Sequence, residues 1–475
     1  MITLAFNKLT TEQKEILFFR PCSDAGNAER IAGIIGENWR YCPQIKAWLQ
    51  WNGKRWEETA GEELISLAVD AMRCLAKYGS ELPPAGKEEQ KQRELIISWL
   101  HRSENNSKIA SMIKLFSALQ KTPFEKFDAN KWELNCNNGT LNLKTGELSP
   151  HLREDLNTKI CKASFKPFRP GCLWEKTINA ILPDHEVRRW VQKFVGYCLT
   201  PSTKEEKFVI LYGPGGRGKG TLIETIGHVL NDYKATLSVD TLLSSKYADN
   251  AGGNGPTPEI AKLPGKRLVL SSESGKGRRF DEAKIKLLTG GDMISARRLR
   301  CESFEFKPTF KLVLSSNYLP AISDSMDEGI RRRLVIIPCI ADIPAIRDSA
   351  LKEKLLRPDN LSDVLAWAVK GCLLWQREGL GEPPAAAREA ADRFYHSNDL
   401  IAQWLEEECT LDSEATTSFM GAFTSYNTWV TFGSGNKKGE LTRKGFNEAM
   451  ERHGFSKLKR NSGYVFKGFN LNRGH

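Results

Sequence analysis

The chain has 475 residues, enough for about three domains of ordinary size. Its 40% hydrophobic and 27% charged residues fit a soluble globular protein, and no apolar run reaches the roughly 20 residues of a membrane helix. The net charge of +11, from 69 Lys+Arg against 58 Asp+Glu, points to a polyanionic partner, by default nucleic acid.

The start of the chain, Met1 to Lys8, lacks the charged-then-apolar plan of a signal peptide, so a cytoplasmic location without membrane attachment is expected. The 11 cysteines are scattered singly with no C-x-x-C pair, which argues against a zinc ribbon and a disulfide framework and for reduced, mostly buried thiols. In residues 1–165, Trp48, Trp51 and Trp56 flank the hairpin signal Asn52-Gly53. A second hairpin is expected around Asn138-Gly139 and Lys144-Thr-Gly146. Between them, Glu62–Lys77 and Glu89–Leu119 read as helices, giving a mixed α+β N-terminal domain.

Residues 170–380 alternate strand and helix, as an α/β core does. The helix Val187–Tyr197 leads to the strand Phe208–Tyr212, and Thr221–Leu230 is helical. Strands Arg267–Ser271, Lys311–Ser315 and Leu334–Pro338 follow, short and apolar as buried parallel strands are. Gly379-Leu-Gly-Glu-Pro-Pro384 marks a boundary, with a helix Ala385–His396 after it. The last block, 398–475, has helices at Asp399–Glu408 and Lys444–His453 and a basic hairpin from Lys457 to Leu471. That order suggests a winged-helix module. Its basic cluster Lys457, Lys459, Arg460 and Lys467 reads equally as a duplex-binding patch or a solvated face.

The most informative stretch is Gly213-Pro214-Gly215-Gly216-Arg217-Gly218-Lys219-Gly220-Thr221, set between a strand and a helix. Its glycines let successive N–H groups curl around an anionic phosphate, Lys219 reaches the outer phosphates, and the helix N-terminus adds partial positive charge. This G-x-x-x-x-G-K pattern points to a nucleoside triphosphatase. The pattern's Mg²⁺-ligating Ser or Thr would follow the lysine, where this chain has Gly220; Thr221 is the substitute.

Two later strand ends complete the constellation. Glu273 ends Arg267-Leu-Val-Leu-Ser-Ser-Glu273, at the carboxyl end of a buried strand where ligands sit in open sheets. With Ser272 in place of a first acid, Glu273 is the residue to polarise water and to approach the metal. Asn317 ends the next strand, and its amide both donates to a γ-phosphate oxygen and accepts from water. Arg331-Arg332-Arg333 precedes the last strand and offers guanidinium groups for charge on a transferring phosphoryl, supplied to a neighbouring subunit. Between Glu273 and Asn317, Met293 to Lys307 reads as a hairpin carrying Arg297, Arg298 and Arg300, suited to gripping a nucleic-acid backbone.

Residues from about 125 to 340 resemble the phage, plasmid and poxvirus primase-helicases, whose motor is a superfamily 3 helicase of the AAA-plus class. The matching segments are Asn135–Gly146 with Pro150-His151, Gly196–Thr200, the glycine-rich loop, Leu288–Arg297, Phe306–Lys311, Ser316–Pro320 and Arg332-Arg-Leu334. The resemblance implies an α/β P-loop AAA-plus core that uses ATP and Mg²⁺. It puts Lys219 on phosphates, Glu273 as the acid of the second strand motif, Asn317 as sensor, Arg332 or Arg333 as finger and a DNA-contacting hairpin near Arg297. It also implies a homo-hexameric ring translocating on single-stranded DNA, 3′ to 5′. This chain departs from the family pattern at Arg217, where Asn is usual, and at Gly220, where Ser or Thr is common.

No Asp-x-Asp occurs in the chain, and only about 120 residues precede the resembling segment, so the family's metal-dependent primase half is expected to be absent. The leading expectation is an ATP-driven DNA helicase of a phage or mobile element, acting on single-stranded and forked DNA in replication. A separate primase or replication initiator would be its partner. The alternatives are a DNA-binding ATPase that loads or initiates without unwinding, and a nucleotide-binding scaffold that has lost turnover through Gly220 and Ser272.

Overall fold

Asn52 turns the chain by accepting the N–H groups of Lys54 and Arg55, both at 3.0 Å, while Gly53 takes φ +93°. This turn joins β2 (Ala47–Trp51) to β3 (Trp56–Thr59), and β1 (Trp39–Cys42) pairs with β2 on the other side. A second antiparallel sheet holds β4 (Glu133–Cys136), β5 (Gly139–Asn142) and β6 (Leu148–Ser149), with Asn137-Asn138 as its first turn. The computed structural model describes residues 2–244, 257–272, 275, 277–299, 302–323, 325–342, 348–433, 439–461 and 463–472. They form two compact units, residues 1–165 and 166–475.

In the first unit the expected helices are present as Glu63–Glu81 and as a pair, Lys87–Arg102 and Asn106–Leu119. The long predicted helix breaks because Asn105 turns its side chain onto the Lys108 N–H at 3.0 Å and starts a new one. Helices Thr11–Phe18 and Asp24–Ile35 were not anticipated. The latter buries Arg30 fully, its guanidinium donating to the carbonyls of Phe18, Arg20 and Pro21 and to Asn27 Oδ1.

The second unit is built on a five-stranded parallel sheet. Its strands are β7 (Phe208–Tyr212), β8 (Lys234–Thr236), β9 (Leu268–Ser272), β12 (Lys311–Ser316) and β13 (Leu334–Pro338). A two-stranded hairpin, β10 (Ile294–Arg297) and β11 (Ser303–Phe306), is inserted between β9 and β12. The sheet order is β13-β7-β12-β9-β8. Alternate residues serve two cores. Phe208, Ile210, Leu312 and Leu314 meet the helices Glu282–Thr289 and Ala385–Ser397. Val209, Leu211, Val313 and Leu270 meet His185–Cys198 and Lys219–Leu230. The helix Pro358–Glu378, unremarked in the sequence, packs on His185–Cys198 at backbone contact: a Cβ on Gly371 would lie 2.0 Å from the Gln192 carbonyl oxygen.

Residues 398–475 fold as the helix Leu400–Glu408, β14 (Cys409–Ser418), the helices Phe419–Thr428 and Arg443–Arg452, then β15 (Lys457–Arg460) and β16 (Gly463–Leu471). Their antiparallel order is β14-β16-β15, around a core of Trp404, Tyr426, Phe446, Phe466 and Phe469. β14 was missed because its sequence is polar and it bulges between Asp412 and Thr416. Among the described residues, no helix is long and apolar enough to cross a membrane and no group of three metal-ligating side chains occurs.

Candidate active site

β7 has neighbours on both sides, so the chain leaving its carboxyl end emerges inside the sheet, between β13 and β12. There the glycine-rich loop turns into the helix Lys219–Leu230. Three of its glycines are required by geometry. Gly213 has φ +152°, and a Cβ there would meet the Cys339 carbonyl oxygen at 2.3 Å. Gly216 has φ +80°. Gly218, at φ +81°, is the N-cap, and a Cβ on it would strike Ile181 at 2.5 Å. Gly215 faces open space, and Pro214 before it is exposed.

The loop opens on a cavity of about 850 Å³ lined by residues 215–221 and by Ser272, Ser316 and Asn317, among others. Lys219 is buried beneath it. Its Nζ donates to Asn317 Oδ1 at 2.9 Å, to the Pro214 carbonyl at 2.8 Å and to the Gly213 carbonyl. One ammonium thus ties the loop to the end of β12. Arg217 donates to the Ala341 carbonyl beyond β13, with Asp342 Oδ1 3.7 Å away. Cys339, beside Gly213, is an inert thiol, pushed up to about 12 by burial.

This donor set suits a polyphosphate. A helix N-terminus, an ammonium and a cradle that side chains would fill converge on one cavity. Thr221 also lines it, whereas Glu273 lies outside the described residues. Asn317 and Lys219, about a hundred residues apart in sequence, are brought together. The lining residues not singled out in the sequence include Glu224, Asp348, Lys352 and Ile181. Only Glu224 carried a signal, four residues after Gly220 on the same helix.

Other sequence candidates lie away from the cavity. Arg332 and Arg333 precede β13 at the amino end of the sheet, opposite the loop. Arg332 is exposed and donates to Glu206 Oε2 at 3.0 Å. Arg333 is buried, bound to the same carboxylate at 2.8 Å and to the Gly329 carbonyl at 2.8 Å. In the inserted hairpin, Ile294 and Ala296 point to the core while Arg297 is exposed and Arg298 stands over the Phe304 ring at 5.8 Å. Arg300 lies outside the described residues.

Residues 28–183 match the family model described as D5 N terminal like. Residues 211–333, which contain the loop, match a family of unknown function, DUF5906. The protein named "Putative helicase L207/L206" of Acanthamoeba polyphaga mimivirus is 26% identical over 359 residues, covering 71% of this chain and 37% of that protein. "Putative primase C962R" of African swine fever virus is 27% identical over 221 residues, covering 45% of this chain and 23% of that one. The chain is similar to viral proteins that carry helicase and primase names. It spans well under half the length of either. The apo structure of the NrS-1 C-terminal region (305–718) matches 94% of this chain and 99% of that one at 10% identity, with a TM-score of 0.52, a likeness of fold.

Proposed function

We propose that this chain is the ATP-hydrolysing motor of a replicative DNA helicase, with a P-loop core of the superfamily 3, AAA-plus kind. One observation carries the reading: Lys219 of the glycine-rich loop and Asn317 at the end of β12 meet at 2.9 Å over one cavity at the carboxyl edge of the parallel sheet. The likeness to viral proteins with helicase and primase names supports the choice of a nucleic-acid motor over other triphosphatases.

In this reading the loop N–H groups and Lys219 hold the phosphates of ATP, and Asn317 reports the γ-phosphate to β12. Glu273 orients the attacking water. Mg²⁺, when bound, neutralises phosphate charge. In the same reading Arg332, exposed at the far end of the sheet, serves a neighbouring subunit's site in a hexameric ring; Arg333 is bound to Glu206 at the same corner. Arg297 and Arg298 contact single-stranded DNA. Residues 398–475 act as a winged helix: three helices and the antiparallel β14-β16-β15 sheet follow in that module's sequence, with Lys457, Lys459 and Arg460 exposed on the terminal hairpin.

The test is phosphate release with and without single-stranded DNA, alongside Lys219→Ala and Glu273→Gln, followed by strand displacement on forked DNA. The expected outcome is DNA-stimulated turnover in the wild type that falls about 100-fold or more in both variants, together with unwinding. Turnover without displacement would make the chain a loader or initiator. Nucleotide binding without turnover would make it a scaffold.

A further inference from the structure

The helix Lys219–Leu230 has a gap in the place where the phosphate-loop pattern puts a hydroxyl. Gly220 has no side chain, and the atoms closest to its missing Cβ are Glu224 Oε1 at 3.4 Å and Lys352 Nζ at 3.8 Å. The carboxylate thus lies in van der Waals contact with the position from which a serine or threonine hydroxyl at 220 would extend. Helix geometry explains why. At 3.6 residues per turn, residue 224 lies only about 40° around the helix from residue 220, and its side chain leans toward the N-terminus, over the preceding turn. Residue 221 is about 100° away. Gly220, Thr221, Glu224 and Lys352 all line the cavity at the loop. Lys352 pairs with Glu224 Oε2 at 2.8 Å, so the carboxylate stands at the cavity wall already charge-balanced.

We propose that Glu224 is the protein ligand to the Mg²⁺ that accompanies the nucleotide, in place of the hydroxyl that position 220 lacks. This rests on the nucleotide-binding reading above. Mg²⁺ is a hard cation held by one or two carboxylates together with phosphate oxygens, and Glu224 is a carboxylate lining the cavity on the first turns of the helix that the loop leads into. Gly220 keeps clear the path by which the carboxylate reaches the phosphate end of the helix.

The test measures affinity for a fluorescent, non-hydrolysable ATP analogue in Mg²⁺ and in EDTA, for the wild type, Glu224→Gln, Thr221→Val and the double variant Gly220→Ser/Glu224→Gln. The expected result is that Mg²⁺ tightens wild-type binding and that Glu224→Gln loses about tenfold of that gain while keeping its affinity in EDTA. Thr221→Val should keep the gain, and the serine of the double variant should recover it. A Mg²⁺ gain retained by Glu224→Gln would overturn the proposal, as would an equal loss in both buffers, which would make Glu224 a structural residue. A wild type that binds the analogue in neither buffer would overturn the nucleotide reading itself.

Discussion

Lys219 and Lys311 are both buried in the same unit, and their surroundings set them to different work. Lys219 lies beside a cavity, and its donors are shared between loop carbonyls and a side-chain amide that a phosphate can replace. Lys311 begins β12 at the other end of the strand, enclosed by the carbonyls of Thr200, Ser202 and Thr309 and by the Tyr197 ring at 4.7 Å. Burial, reinforced by the nearby Arg267 guanidinium, brings its ammonium down to about 7. The unfolded chain then holds a proton at this site that the folded chain releases, from about pH 7 up to the ordinary lysine range. Folding is penalised below that window and gains stability as pH rises through it. Urea unfolding is expected to show stability rising between pH 7 and 8.5, with Lys311→Met, of similar volume, removing the rise. Above about pH 9 the opposite effect enters, because burial pushes the Cys198 and Cys372 thiols up to about 12.

At the level of elements, the contact between His185–Cys198 and Pro358–Glu378 rests on two glycines. A Cβ at Gly196 would come 2.0 Å from the Cys372 amide nitrogen, and one at Gly371 equally close to the Gln192 carbonyl oxygen. The obstruction is backbone on both sides and cannot rotate away. Gly371→Ala is therefore expected to destabilise the fold by about 1–3 kcal/mol despite alanine's better helix propensity, read as a lowered urea midpoint. Such pairs escape a sequence reading because nothing in either helix announces its partner. Where one element's own residues decide its state, the sequence was legible: the apolar runs Phe208–Tyr212 and Leu334–Pro338 are strands to the residue. Where the neighbour decides, it was not. Lys234–Thr236 is a strand only because β9 pairs with it, and Cys409–Ser418 only because β16 does. The same division runs through the site. Spacing and residue type singled out Lys219, Asn317 and Thr221, while Lys352 reaches the cavity from the helix Leu351–Leu355, whose sequence carries no motif.

For the whole molecule, the division at residue 165 separates cores that share no strand: residues 166–475 contain the entire parallel sheet and both helical layers on its faces. Expressed alone, residues 166–475 are expected to unfold cooperatively in urea and to bind nucleotide with the affinity of the full chain, checked by the same fluorescence titration. The sheet order also fixes a sequence of events during synthesis. β7, which carries the loop, pairs on one side with β12 and on the other with β13. A ribosome must therefore reach residue 316 before this strand gains its first neighbour and residue 338 before it gains the second. Until then a fully apolar strand has two open edges, the condition in which nascent chains pair wrongly with one another. The strand made first in this sheet is thus held longest without partners, and pauses in translation between these two points bear directly on the yield of folded protein.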